Sequence, residues 1–134
     1  MPRLSQADVR RRWKSIRVYE FLGIEVVRTA PGSARLRLPW RLELTQPLGY
    51  IHGGIIATLA DAAAGWALFQ SVSRPEGCTT LEMKINFLSP VVKAAMVADA
   101  KVLRLGHSTA VIDVDVRAAR TLCAKSLVTY FVRR

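Results

Sequence analysis

Apolar residues recur along this chain with two different periods. Val9, Trp13, Ile16 and Tyr19 fall at helical spacing behind Ser5, a good N-cap, so residues 5–20 predict a short amphipathic helix. Phe21 to Thr29 reads as a strand, and Pro31-Gly32 ends it in a turn. The period then drops to two. Ala34, Leu36 and Leu38 alternate with Ser33, Arg35 and Arg37, which predicts a return strand with one buried and one wet face, and so a hairpin. Residues 39–50 read as a loop closed by Pro47 and Gly49. From Gly53 to about Val72 the chain is Ala-rich and apolar nearly all round, the mark of one long enclosed helix. Arg74-Pro75-Glu76-Gly77 stops it, and the rest is strand. Thr79–Leu88 and Met96–Arg104 come first, then a strand alternating Ile112, Val114 and Val116 with Asp113, Asp115 and Arg117, then Leu122–Val132.

Strands segregated from helices and joined by short turns predict an antiparallel α+β domain. A helix apolar on nearly every side has to be covered, and a curved antiparallel sheet wrapped around one long central helix is the simplest way to cover it. With 134 residues, 51% of them apolar, and no repeat or linker, residues 1–134 read as a single domain with its own core.

Charge changes the list of partners more than the fold. Twenty Lys and Arg against ten Asp and Glu give +10, which favours anionic ligands. Six of those cations lie in residues 3–17 and the others are scattered, without interleaved aromatics, so no nucleic-acid groove is expected. Cys78 and Cys123 are too few for a disulfide framework and read as reduced thiols. The first fifteen residues are polar and basic rather than signal-like, and the longest apolar run is short for a span and contains Asp61. The expectation is a cytoplasmic chain without a membrane segment. His52 and His107 are far apart in sequence, so neither a metal site nor a cofactor is expected.

The unusual residue is Asp61. A carboxylate in an apolar helix costs several kcal/mol unless it is paired or protonated, and Lys and Arg are absent from residues 42–73. Ala57, Thr58, Ala64 and Gly65 surround it at three and four positions and would let another group approach closely. Two readings stand: a structural carboxylate, at a wet point of the helix or capping another element, or an activated base or nucleophile. Gly53 and Gly54 open the helix, where free N–H groups and the dipole could seat an oxyanion, or where a plain loop-to-helix turn would need nothing more. His52 is equally readable as structural or catalytic. Gly53 and Asp61 are eight positions apart, about 12 Å along the axis, too far for one helix to put both on one reacting carbon. Two antiparallel copies could, which points to a symmetric dimer with two shared sites.

The run Gln46-Pro47-Leu48-Gly49-Tyr50-Ile51-His52-Gly53-Gly54, followed by Leu59-Ala60-Asp61, resembles the N-x-x-G-x-x-H-G-G…L-x-D signature of hotdog-fold thioesterases, in their PaaI-like branch of the 4-hydroxybenzoyl-CoA thioesterase superfamily. Thr80–Pro90, Arg104–Ser108 and Thr129–Phe131 resemble the later family segments, so the likeness covers roughly residues 20–133. It implies metal-free hydrolysis of an aryl- or short/medium-chain acyl-CoA by a homodimer, usually paired into a homotetramer. Position by position, it makes Asp61 the general base or nucleophile and Gly53 N–H the donor to the thioester carbonyl. Gln46 stands where Asn is usual, His52 supports the oxyanion loop, and Thr80 orients the water on the same subunit as Asp61. Arg104, Gly106, His107, Ser108 and Lys125 would meet the CoA phosphates. Where relatives often turn with Asp-Gly before the last strand, this chain has Ala118-Ala119-Arg120-Thr121. Competing readings are a hotdog protein that binds acyl-CoA or an aromatic ligand without turnover, a hydratase on the same fold, and a basic nucleic-acid binder.

Overall fold

A computed structural model of the chain describes residues 4–133. Its first helix, α1 (Gln6–Ser15), begins where the cap predicts. Ser5 Oγ accepts from Asp8 N–H and the Asp8 carboxylate accepts from Ser5 N–H, a reciprocal capping box. The expected single helix over 5–20 is instead two, and residues 1–3 lie outside the described part. Ile16 is extended, and the chain re-enters helix as α2 (Arg17–Leu22), which Gly23 ends in the left-handed region at φ 85°. The break redirects the chain so that Tyr19 and Leu22 are buried as well as Val9, while Trp13 Nε1 donates to Ile24 O at 2.6 Å.

The first strand therefore starts later than Phe21. Strands β1 (Glu25–Ala30) and β2 (Ser33–Leu38) form the expected antiparallel hairpin. The long helix, α3 (Gly53–Phe69), stops three residues short of Val72. Gln70, just past its end, is buried, and its amide donates to Thr29 Oγ1 at 2.9 Å, which ties the helix end to the hairpin. Strands β3 (Thr79–Phe87), β4 (Met96–Leu105), β5 (Thr109–Ala118) and β6 (Thr121–Phe131) complete a six-stranded sheet. Its order is β1-β2-β4-β5-β6-β3 and every neighbouring pair is antiparallel.

α3 packs along the inner face of this sheet and touches all six strands. Leu59, Ala60, Ala63, Ala64, Trp66, Ala67 and Leu68 are fully buried against Leu36, Ala98, Ile112, Val114, Val116 and Val128. Each large aliphatic side chain so buried contributes about 1.5–3 kcal/mol, and the alanines let helix and sheet approach closely. The outer face carries cross-strand ion pairs, Arg35–Asp99 at 2.7 Å and Arg37–Glu25 at 3.2 Å among them. The β5–β6 turn is made by Ala119 and Arg120, both in the left-handed region at φ 47° and 68°. Among the described residues no helix is long and apolar enough to cross a membrane, and no group of three or more His, Cys, Asp or Glu side chains could hold a metal ion.

Candidate active site

Two clusters form along α3, one at its first turn and one two turns further on. The approach to the first turn is a pinned loop. Gln46 N–H donates to Tyr50 O at 2.7 Å, Gly49 N–H to Gln46 O at 2.9 Å, His52 N–H to Leu44 O at 2.8 Å and Ile51 N–H to Val91 O at 3.0 Å. Gly49 sits at φ 85°, which its lack of a side chain permits. His52 is the N-cap of α3, and its Nδ1 accepts from Gly54 N–H at 2.8 Å. That satisfies one of the orphan donors of the helix start and puts the ring proton on Nε2 when the imidazole is neutral. Gly53, the first helical residue, lines a cleft of about 370 Å³ together with Gln46, Tyr50, Ile56, Phe87 and Val91. A Cβ on Gly53 would lie 3.1 Å from the Phe87 ring. The Gln46 side chain turns back, its Oε1 accepting from Leu48 N–H.

Asp61 sits in the second cluster, half-buried. Thr80 Oγ1, from β3, donates to its Oδ1 at 2.7 Å. Thr80 points inward because β3 is irregular between Thr80 and Glu82. An unbroken strand would put Thr80 on the opposite face from Met83 and Ile85, whereas the bulge lets all three face the helix. Sequence reasoning missed a third member. The Tyr130 hydroxyl, from β6, lies 3.1 Å from Asp61 O and 3.3 Å from Asp61 Oδ1. The signal for it was there: Ala124, Ser126, Val128 and Tyr130 share the buried face of β6, and a buried phenol needs a polar partner. Burial, aided by the Asp61 charge, pushes the Tyr130 phenol above its ordinary pKa, and burial does the same to Tyr19 of α2, beside Trp66. Thr58 contributes nothing to the carboxylate, since its hydroxyl bonds Gly54 O at 2.8 Å.

The chain thus brings Gln46, His52 and Gly53 together in one place, and Asp61 and Thr80 in another. Of the residues expected to meet phosphates, Gly106, His107 and Ser108 form the β4–β5 turn, closed by Gly106 N–H to Thr109 O at 2.8 Å and joined to β6 by Val132 N–H to Ser108 O at 2.9 Å. His107 Nδ1 lies 3.1 Å from Ser108 Oγ. Arg104 is exposed on β4, opposite Val111. Lys125 is not brought to that turn. It lies six residues along β6 from Phe131, the partner of Thr109, or about 20 Å away. Its Nζ binds Asp113 at 2.6 Å and Asp115 at 2.7 Å instead.

A six-stranded antiparallel sheet packed on one long apolar helix, with a histidine-capped glycine start and a hydroxyl-held carboxylate on that helix, is the hotdog arrangement the resemblance implies. The comparisons agree. The chain belongs to the Thioesterase superfamily, whose family model matches residues 48–125, and its class is that of the PaaI-like acyl-CoA thioester hydrolases. It is similar to the 1,4-dihydroxy-2-naphthoyl-CoA hydrolase of Listeria monocytogenes, 32% identical over 97 residues that cover 72% of this chain and 79% of the relative. Among solved structures it resembles a thioesterase from Haemophilus influenzae, with TM-score 0.87, 25% identity, and 98% and 92% of the two chains covered. A variant of the phenylacetic acid degradation protein PaaI from Thermus thermophilus aligns with TM-score 0.79 and 28% identity, over 87% of this chain and 99% of that one.

Proposed function

We propose that this chain hydrolyses an aryl- or short/medium-chain acyl-CoA to the free acid and CoA at a site shared by two copies. The observation that carries the reading is Asp61, a carboxylate in an apolar helix held by Thr80 at 2.7 Å, with Gly53 at the start of the same helix. The two are about 12 Å apart along the axis. A second copy running antiparallel would bring its Gly53 to the Asp61 of the first. β3 supports such pairing: it is an edge strand, with Leu81 and Phe87 exposed.

Thr80 occupies Oδ1, so Oδ2 is the oxygen that takes a proton from water. The water oxygen attacks the thioester carbon, and the carbonyl oxygen becomes an oxyanion that accepts from the partner copy's helix-start N–H at Gly53. His52 holds the neighbouring N–H of Gly54 and so keeps that turn in shape. Gln46, whose Oε1 is taken by Leu48, offers its amide N–H groups to the carbonyl. Collapse breaks the C–S bond, and the proton held by Asp61 passes to the departing thiolate, a good leaving group with thiol pKa near ~8.5. Asp61 as the nucleophile, through an anhydride, uses the same contacts. Arg104, Gly106, His107 and Ser108 would meet the CoA phosphates; Lys125, already bridging two aspartates, drops out of that group. The name of the Listeria relative supports an aryl acyl group. Pairing of two dimers into a homotetramer is the assembly proposed, and two free thiols, Cys78 and Cys123, support a cytoplasmic location.

The test is release of CoA thiol from a panel of aryl, short, medium and long acyl-CoAs, with Asp61→Asn alongside. Wild type should turn over an aryl or short/medium member, and Asp61→Asn should be about 10²–10⁴-fold slower. Binding without release by wild type would replace this reading with ligand binding alone.

A further inference from the structure

Asp61 has a second hydroxyl on it that the scheme above leaves unused. Tyr130 is 5% exposed, and its single hydroxyl proton is shared between Asp61 O at 3.1 Å and Asp61 Oδ1 at 3.3 Å. One residue therefore ties the main chain of Asp61 to its carboxylate. α3 is shaped to admit it. Gly65 lies one turn beyond Asp61, and a Cβ there would sit 2.9 Å from the Tyr130 hydroxyl and 3.1 Å from the Phe69 ring. A glycine inside a helix costs about 1 kcal/mol relative to alanine, and here it leaves room for the phenol.

We propose that Tyr130 is a positioning residue for thioester hydrolysis, which with Thr80 clamps Oδ1 of Asp61 so that Oδ2 alone faces the water. This rests on Asp61 being the catalytic carboxylate. The terminal torsion of an aspartate is broad and roughly two-fold, so one donor on Oδ1 leaves the carboxylate plane free to rock. Two donors from different strands, β3 and β6, converging on one oxygen fix that plane, and the contact to Asp61 O fixes it relative to the helix. The phenol stays a protonated donor across neutral pH, because burial and the Asp61 charge both push its ionisation upward. Tyr19 of α2 also feels the Asp61 charge, and burial above all keeps it protonated too.

The experiment compares Tyr130→Phe, Gly65→Ala and Asp61→Asn with wild type by kcat, KM, the pH profile of kcat/KM and thermal unfolding. Tyr130→Phe keeps the ring and removes only the hydroxyl. It should lower kcat about tenfold with KM unchanged, and move the low-pH limb of kcat/KM to higher pH, since the charged carboxylate loses one of the donors that favour it. Gly65→Ala, which crowds the hydroxyl while keeping the phenol, should move the same limb the same way, and it decides the matter if Tyr130→Phe fails to fold. A folded Tyr130→Phe with wild-type kcat and pH profile overturns the proposal while an inactive Asp61→Asn leaves the catalytic reading standing. A fully active Asp61→Asn removes both.

Discussion

Gly53→Ala separates what the first turn of α3 does for stability from what it does for chemistry. Gly53 is the first residue of a helix and is not in the left-handed region, so its backbone tolerates a Cβ. Replacing glycine there removes freedom from the unfolded chain and stabilises by about 0.4–1 kcal/mol. Against this, the new methyl meets Phe87 Cζ at 3.1 Å and Cε1 at 3.3 Å, contacts that require the ring to give by a few tenths of an ångström. Phe87 is 53% exposed and can swing. The two effects are of similar size, so the net change should lie within about 1 kcal/mol, or ~4 °C in Tm. The chemistry has no such relief. Alanine keeps the N–H, but on the proposed mechanism its methyl stands in the cleft through which the carbonyl would reach it, and denying the carbonyl that donor should cost as much as losing it, about 10²–10³ in kcat. Thermal unfolding and CoA thiol release on the same preparation give both numbers. Activity within about threefold of wild type would refute an approach of the carbonyl to this N–H through the cleft, and activity lost together with the fold would refute the packing estimate.

Three further outcomes follow from particular contacts. Lys125→Met leaves Asp113 and Asp115 without their shared cation. The Asp115 carboxyl is held below its usual range by the Lys125 hydrogen bond, against the opposing pull of burial. Burial pulls the Lys125 ammonium down, but the hydrogen bonds and charges of the two aspartates together raise it above its own range. A depressed carboxylate contributes above about pH 4 and loses its contribution as pH falls through its folded value; a raised lysine contributes below about pH 10.5 and loses it on further rise. The variant should therefore unfold about 1–3 °C lower than wild type at pH 7, a solvent-screened surface effect, with the gap closing below pH 4, and KM for acyl-CoA should not change. Ala119→Asn with Arg120→Gly relieves two left-handed residues, each costing about 1–2 kcal/mol in an ordinary side chain, and should raise Tm by several degrees at unchanged activity. Arg104→Ala should raise KM about three- to tenfold with kcat held, most steeply at low salt, as measured by initial rates over a salt series.

What the chain disclosed before its structure follows the range of the forces involved. The cap at Ser5, the hairpin at Pro31-Gly32 and the apolar helix from Gly53 are local, and periodicity reads them directly. The break at Ile16 was hidden because Val9, Trp13, Ile16 and Tyr19 keep one helical rhythm across it; burial of Tyr19 and Leu22 against the core decides it. The helix end at Phe69 is set by Gln70 reaching Thr29, forty-one positions away in sequence. Sheet order is likewise long-range: nothing between residues 79 and 131 says that β3 closes on β6. At the site, Asp61 stood out by its cost, and Thr80 needed a bulge to face it. Tyr130 was missed because its hydroxyl meets Asp61 only once the last strand lies beside the helix. Lys125 looked free to bind phosphate because its two aspartates belong to the neighbouring strand.

The central claim is that Asp61 and Gly53 of different copies make one site. Asp61→Asn and Gly53→Ala chains, carrying different tags, are coexpressed, the mixed assemblies are purified over both tags, and CoA release is measured against each parent. If the site is shared, random pairing makes half of the dimers mixed, each with one intact site, so the unfractionated mixture should recover about a quarter of wild-type activity and tetramers purified over both tags slightly more. Mixed assemblies no more active than the two parents would mean that each site takes both residues from a single copy, and would contradict the account.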